Sequence, residues 1–177
     1  FQQGNLSVEE ALVQIGIPQE KTIKTDAAHV DIDRKKRCGF PEVIYAEGKT
    51  SQAIIEIIEI LNSKQEDVLT TRVSQEQAEI ICQKFPTAIY NNVARTVRIE
   101  NQPESKAQGK VALITAGTSD LPIAEEAMET LKWMNCHVQT ICDVGVAGPH
   151  RLTENLDQIQ NCDAVIVVAG MEGALPS

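Results

Sequence analysis

Three glycine-bearing stretches in the second half of the chain hold side chains that could do chemistry: AGTSD at 116–120, DVGVAGPHR at 143–151 and AGMEGALPS at 169–177. Every glycine after position 109 falls in one of them: Gly117, then Gly145 and Gly148, then Gly170 and Gly173. Glycine lets a backbone take positive φ and approach a ligand closely. One such stretch is an ordinary turn; three brought to one edge make a cleft. In the first, Thr118 or Ser119 is expected to cap a following helix, whose free N–H groups would suit a phosphate. Asp120 would repel a phosphate at contact range, so it is read as a partner for sugar hydroxyls, with a helix-start acid as the plainer alternative. In the second, Arg151 could hold a phosphate or carboxylate and His150 could shuttle a proton, unless the pair merely opens a helix. Asp143 ends a strand, a place for a ligand contact or a turn cap. In the third, Glu172 is the lone acid, flanked by Ala169, Gly170 and Met171.

The elements that would carry these stretches are regular. KVALITAG reads as a strand, SDLPIAEEAMETLKWMN as a helix with Leu121, Ala124, Met128 and Leu131 on one side, and HVQTICDVG as a strand. HRLTENLDQIQ reads as a helix and DAVIVVAG as a strand. Near-continuous apolar strands alternating with helices mark a parallel, doubly wound sheet, and ligands of such sheets bind at the carboxyl ends of the strands. Trp133 is expected to pack at the end of its helix. The first hundred residues form a separate small α/β pattern. A helix over 7–15 begins with Ser7 and Glu10 as a capping box. HVDID and PEVIYAE alternate as strands around the basic run RKKR (34–37), read as a solvated loop, with a phosphate contact as the sharper option. SQAIIEIIEILNSK and SQEQAEIICQKF read as helices, and DVLTTRV and AIYNNVARTVRI as strands. The GKT at 48–50 matches the end of a P-loop, but Val43 stands where the earlier glycine belongs. Between the halves, NQPESKAQG (101–109) is the expected linker, giving domains at 1–100 and 110–177.

Composition narrows the partners. The net charge of −9 disfavours nucleic acid and anionic membranes. After Gly109 the only Lys and Arg residues are Lys110, Lys132 and Arg151, so an anionic ligand there must rely on backbone amides, helix starts or groups supplied from elsewhere. No apolar run approaches the ~20 residues of a membrane span, and no signal-peptide layout is visible. The five cysteines (Cys38, Cys82, Cys136, Cys142, Cys162) form no CxxC pair, which suits a reducing cytoplasm. Cys136, His137 and Cys142 fit none of the usual zinc spacings.

GTSDLPIAEEA, GVAGPHRL and AGMEGALPS resemble the three loops of the PurE family, the aminoimidazole ribonucleotide carboxylases and mutases. The match is closer to the PurE-like LarB family of nickel-pincer cofactor biosynthesis, to which RCGFPEVIYAEGKT is also similar. The departures from PurE are informative: Ala174 replaces a histidine and Glu172 a small residue. His150 matches a PurE histidine but follows Pro149. The resemblance implies a three-layer αβα domain, C-terminally incomplete here. It further implies carboxylation of nicotinic acid adenine dinucleotide at pyridinium C5 with release of AMP, using CO2 or bicarbonate as co-substrate. Mg2+ bridging the diphosphate is expected, and no tightly bound organic cofactor. Glu172 and His150 become the catalytic candidates. The family's nucleophilic cysteine lies C-terminal to the last loop, and none of the five present matches it. A homo-oligomer, by resemblance an octamer, follows. A true aminoimidazole ribonucleotide carboxylase and a non-catalytic nucleotide-binding regulator are the rival readings.

Overall fold

The computed structural model describes residues 22–24, 29–102 and 107–177; the helix expected over 7–15 lies outside them. β1 (Thr22–Lys24) and β2 (His29–Asp31) pair antiparallel. The basic run is not a loop but a five-residue helix, α1 (Arg34–Cys38), closed by Gly39 at φ 85°, whose N–H reaches Lys35 O at 2.8 Å. Its charges find local partners, Lys35 on Glu66 at 2.6 Å and Arg37 on Asp31, which is why so basic a run tolerates a helix.

β3 (Ile44–Tyr45), α2 (Ser51–Ser63) and β4 (Val68–Thr71) make a βαβ unit with parallel strands. Thr50 starts α2, its Oγ1 accepting the Ala53 N–H at 3.2 Å. The helix buries Ala53, Ile54, Ile55, Ile57, Ile58 and Leu61, the stripe its spacing predicts. α3 (Gln75–Lys84) opens with a capping box between Ser74 and Gln77. β5 (Ile89–Asn91) and β6 (Thr96–Ile99) complete a mixed sheet of order β3-β4-β6-β5. Val68, Val97 and Ile99 of that sheet close one core with α2 and α3.

The second sheet is parallel, in the order β8-β7-β9, with β7 (Lys110–Thr115) between β8 (His137–Ile141) and β9 (Ala164–Val168). Helices lie against it, as the expected αβα arrangement requires. α4 (Leu121–Trp133) contacts β7 and β8. The helix expected over 150–160 is instead two short ones, α5 (Pro149–Thr153) and α6 (Leu156–Gln160). The break has a cause: Asn155 Nδ2 donates to Arg151 O at 2.8 Å, and such side chains compete with the helical ladder. Leu152 and Ile159 pack on the cluster of Ala112, Ile114, Ile141 and Val144.

α4 has two packed sides. Ala124, Met128 and Leu131 form the stripe of helical spacing, while the opposite stripe reaches the first sheet. There Glu129, 4% exposed, takes Arg98 Nε at 3.2 Å and Lys132 Nζ at 2.9 Å. Arg72 meets Glu126 at 3.4 Å, and Asn91 Nδ2 donates to Glu125 at 3.1 Å. Trp133 is buried, as expected, with its ring 5.9 Å from that of Phe40. No helix among the described residues is long and apolar enough to cross a membrane.

Candidate functional site

The three loops leave the same end of β8, β7 and β9, and backbone hydrogen bonds tie their roots together. Ala116 N–H donates to Val168 O at 3.2 Å, joining the first loop to the third strand. Val144 N–H donates to Thr115 O at 3.1 Å, joining the second loop to the first strand. Strand order reverses at β7, since the chain runs from β7 to β8 and then past β7 to β9. The crevice beyond the carboxyl ends at such a reversal is the usual ligand position of doubly wound sheets.

In the first loop, Thr118, Ser119 and Asp120 form a 3-10 turn leading into α4. Neither Thr118 nor Ser119 makes the expected side-chain cap. Asp120 does the local work: its Oδ2 accepts the Gly117 N–H at 2.8 Å, and its own N–H donates to Gly117 O at 3.2 Å. A two-way bond across a tight turn suits this acid better than an open carboxylate, because it neutralises an otherwise orphaned amide. Replacing Asp120 with alanine should therefore lower stability by about 1 kcal/mol in urea unfolding. Hydrogen exchange at the Gly117 amide should quicken with it.

The second loop is built by close approach. A Cβ on Gly145 would lie 3.0 Å from Ala116 O, so any side chain there presses the second loop against the first. Asp143 has φ 59°, and its carboxylate accepts Arg151 Nη1 at 2.7 Å; the same nitrogen reaches Asp143 O at 3.1 Å. Two residues that sequence spacing treats separately are thus one pair. Both side chains are about half exposed or more, and such pairs contribute little to stability. Gly148 is buried against Arg151, and His150 lies exposed on α5. In the third loop, Ala169 is half-buried and Gly170 exposed, and Met171 is exposed with φ 52°. Glu172 lies in the 3-10 turn Met171–Gly173, and its side chain is outside the described residues. Gly173, at φ 87°, ends that turn and accepts Ser177 Oγ at 2.7 Å.

Sequence spacing did not single out Thr115. It ends β7 fully buried, and its hydroxyl has no hydrogen-bond partner among the described residues. A polar residue closing an otherwise apolar strand at the loop edge was the available signal. Among the described residues no group of three His, Cys, Asp or Glu side chains is arranged to hold a metal ion.

A family model for the LarB/PurE-like N-terminal domain matches residues 22–102. The chain is also 40% identical over 185 residues to the uncharacterized protein MJ0165 of Methanocaldococcus jannaschii, a match covering 100% of this chain and 72% of the relative.

Proposed function

Because the chain belongs to the LarB family of PurE-like proteins, we propose that it carboxylates nicotinic acid adenine dinucleotide at pyridinium C5 and hydrolyses the phosphoanhydride. The products would be pyridinium-3,5-biscarboxylic acid mononucleotide, an intermediate toward a nickel-pincer cofactor, and released AMP. The observation that supports this reading is the set of three glycine-bearing loops, bonded at their roots along one edge of a parallel sheet.

A pyridinium ring is electron-poor and does not attack CO2 unaided. A thiolate adding to the ring makes it enamine-like; C5 then bonds to CO2, a base removes the C5 proton, and the thiolate leaves. None of the five cysteines in this chain is assigned that thiolate. Glu172 is the proposed base or ring-positioning carboxylate, and His150 the proton carrier. The first loop, Gly117 to Asp120, takes ribose and phosphate through its backbone. Gly145, Gly148, Ala169, Gly170 and Met171 form the walls. Arg151, held by an exposed carboxylate, exchanges Asp143 for a ligand anion at low cost. The described carboxylates form no cage for Mg2+, which in this proposal accompanies the diphosphate and carries no step. Completion of the site by a second copy remains part of the proposal, given the scarcity of cations near these loops.

Incubation of the full-length protein with nicotinic acid adenine dinucleotide, bicarbonate and Mg2+ should release AMP, detected by mass spectrometry. Glu172→Gln should lower turnover by about 100-fold or more while leaving nucleotide binding within a few-fold. Unchanged turnover would remove Glu172 from the mechanism. Tight binding without any product would replace the enzyme with a nucleotide-binding regulator.

A further inference from the structure

A second recess lies away from the three loops, between β2, β3 and α2 in the first half of the chain. It encloses about 310 Å³, at the small end of the range for ligand pockets. His29, Glu42, Ile44, Tyr45, Lys49 and Ile57 line it. Lys49 is the lysine of the GKT stretch, which the loop chemistry leaves unexplained.

The turn that carries Lys49 is held with unusual care. Gly48 adopts φ 78°, and Lys49 N–H donates to Ala46 O at 3.0 Å. Gln77, already committed to the capping box of α3, donates its Nε2 to Lys49 O at 2.8 Å and to Ala46 O at 3.3 Å. Thr50 then starts α2. All these bonds fix the backbone, yet the Lys49 ammonium and the His29 ring have no hydrogen-bond or ion-pair partner among the described residues. The Tyr45 hydroxyl donates its proton to Glu47, so within the recess Tyr45 has its ring and no free O–H to offer. Glu42 Oε2 accepts the Asp31 N–H at 2.6 Å, which keeps a carboxylate fixed in the same wall. Buried Ile44 and Ile57 supply apolar surface.

An unpaired cation on a fixed backbone, a fixed anion and an apolar wall select a ligand with one negative end and a flat apolar body. We infer that this recess binds a small aromatic carboxylate, its carboxylate on Lys49 and His29 and its ring against Ile44, Ile57 and Tyr45. The Glu42 carboxylate repels the ligand's charged end and so fixes its direction. The inference is independent of the chemistry proposed for the loops.

Benzoate is the probe. Titrated into the full 177-residue chain, it should shift the Ile44 and Ile57 methyl signals saturably in NMR spectra, leaving those of Val167 and Val168 in place. Benzyl alcohol, which lacks the charge, should bind at least tenfold more weakly. Lys49→Met should weaken benzoate at least tenfold and Lys49→Arg should restore most of it, with far-ultraviolet circular dichroism confirming that both variants fold. Unmoved isoleucine signals would overturn the assignment. So would wild-type affinity in Lys49→Met, or inorganic phosphate competing as well as benzoate, which would mark a bare anion contact.

Discussion

Replacing Glu129 with alanine is expected to destabilise the fold by about 3–5 kcal/mol, far more than an exposed acid would. The loss comes from Arg98, which is 8% exposed and, among the described residues, would keep only Glu100 at the surface as an acidic partner. Removing one member of a buried pair strands the other's charge, whereas removing both does not. The double substitution Arg98→Met with Glu129→Leu should therefore recover most of the stability lost in the single variant, as measured by urea unfolding. A double variant as unstable as the sum of the singles would show that the pair is not coupled. The same group sets an acid limit. Burial alone would raise the Glu129 pKa, but the hydrogen bonds from Lys132 and Arg98 outweigh it and leave it lowered from 4.5. A lowered folded value means stability present above about pH 4.5 and lost as the pH falls through it. In Glu129→Ala that part of the acid sensitivity should disappear.

Gly145→Val should do its damage at the site. The position does not have a left-handed φ, so valine meets no penalty of that kind; the obstacle is contact. Its Cβ would sit 3.0 Å from the backbone oxygen of Ala116, which cannot rotate aside. Overpacking of this kind costs about 1–3 kcal/mol, and here the available relief is to push the second loop from the first. Nucleotide affinity should fall at least tenfold, read by calorimetry with AMP. An affinity equal to that of the wild type would show that the contact between these loops is not needed for binding.

What was legible in the sequence followed periodicity. The Ile-rich stripe of α2, the apolar strands β7 and β9, and the three glycine loops at one sheet edge all follow from spacing alone. The failures have physical causes. The run Arg34 to Arg37 looked like a loop because four adjacent cations repel, but Asp31 and Glu66, brought in by the fold, offset them. The helix over 150–160 was split by side chains that bond their own backbone, a competition that hydrophobic spacing does not register. Thr118 and Ser119 have the usual cap chemistry, yet the turn is bonded by Asp120 three residues after the glycine. The pairing of Arg151 with Asp143 was hidden because a positive φ at Asp143 turns the chain back on itself. The second face of α4 was invisible for another reason. Glu125, Glu126 and Glu129 look like a solvated face until partners from the first sheet arrive.

Gln77 carries a consequence for sequence drift. Its amide oxygen accepts the Ser74 N–H at 2.9 Å while its amide nitrogen serves two carbonyls of the preceding turn. Glutamate has the same length and shape but no donor, and it would set a negative charge against two carbonyl oxygens. Asparagine keeps the polarity but is one methylene short. The residue is partly exposed and not apolar, so a hydropathy profile would mark it as freely exchangeable. A single-nucleotide change from a glutamine to a glutamate codon, neutral over most of a protein surface, costs two hydrogen bonds at this position because of their direction.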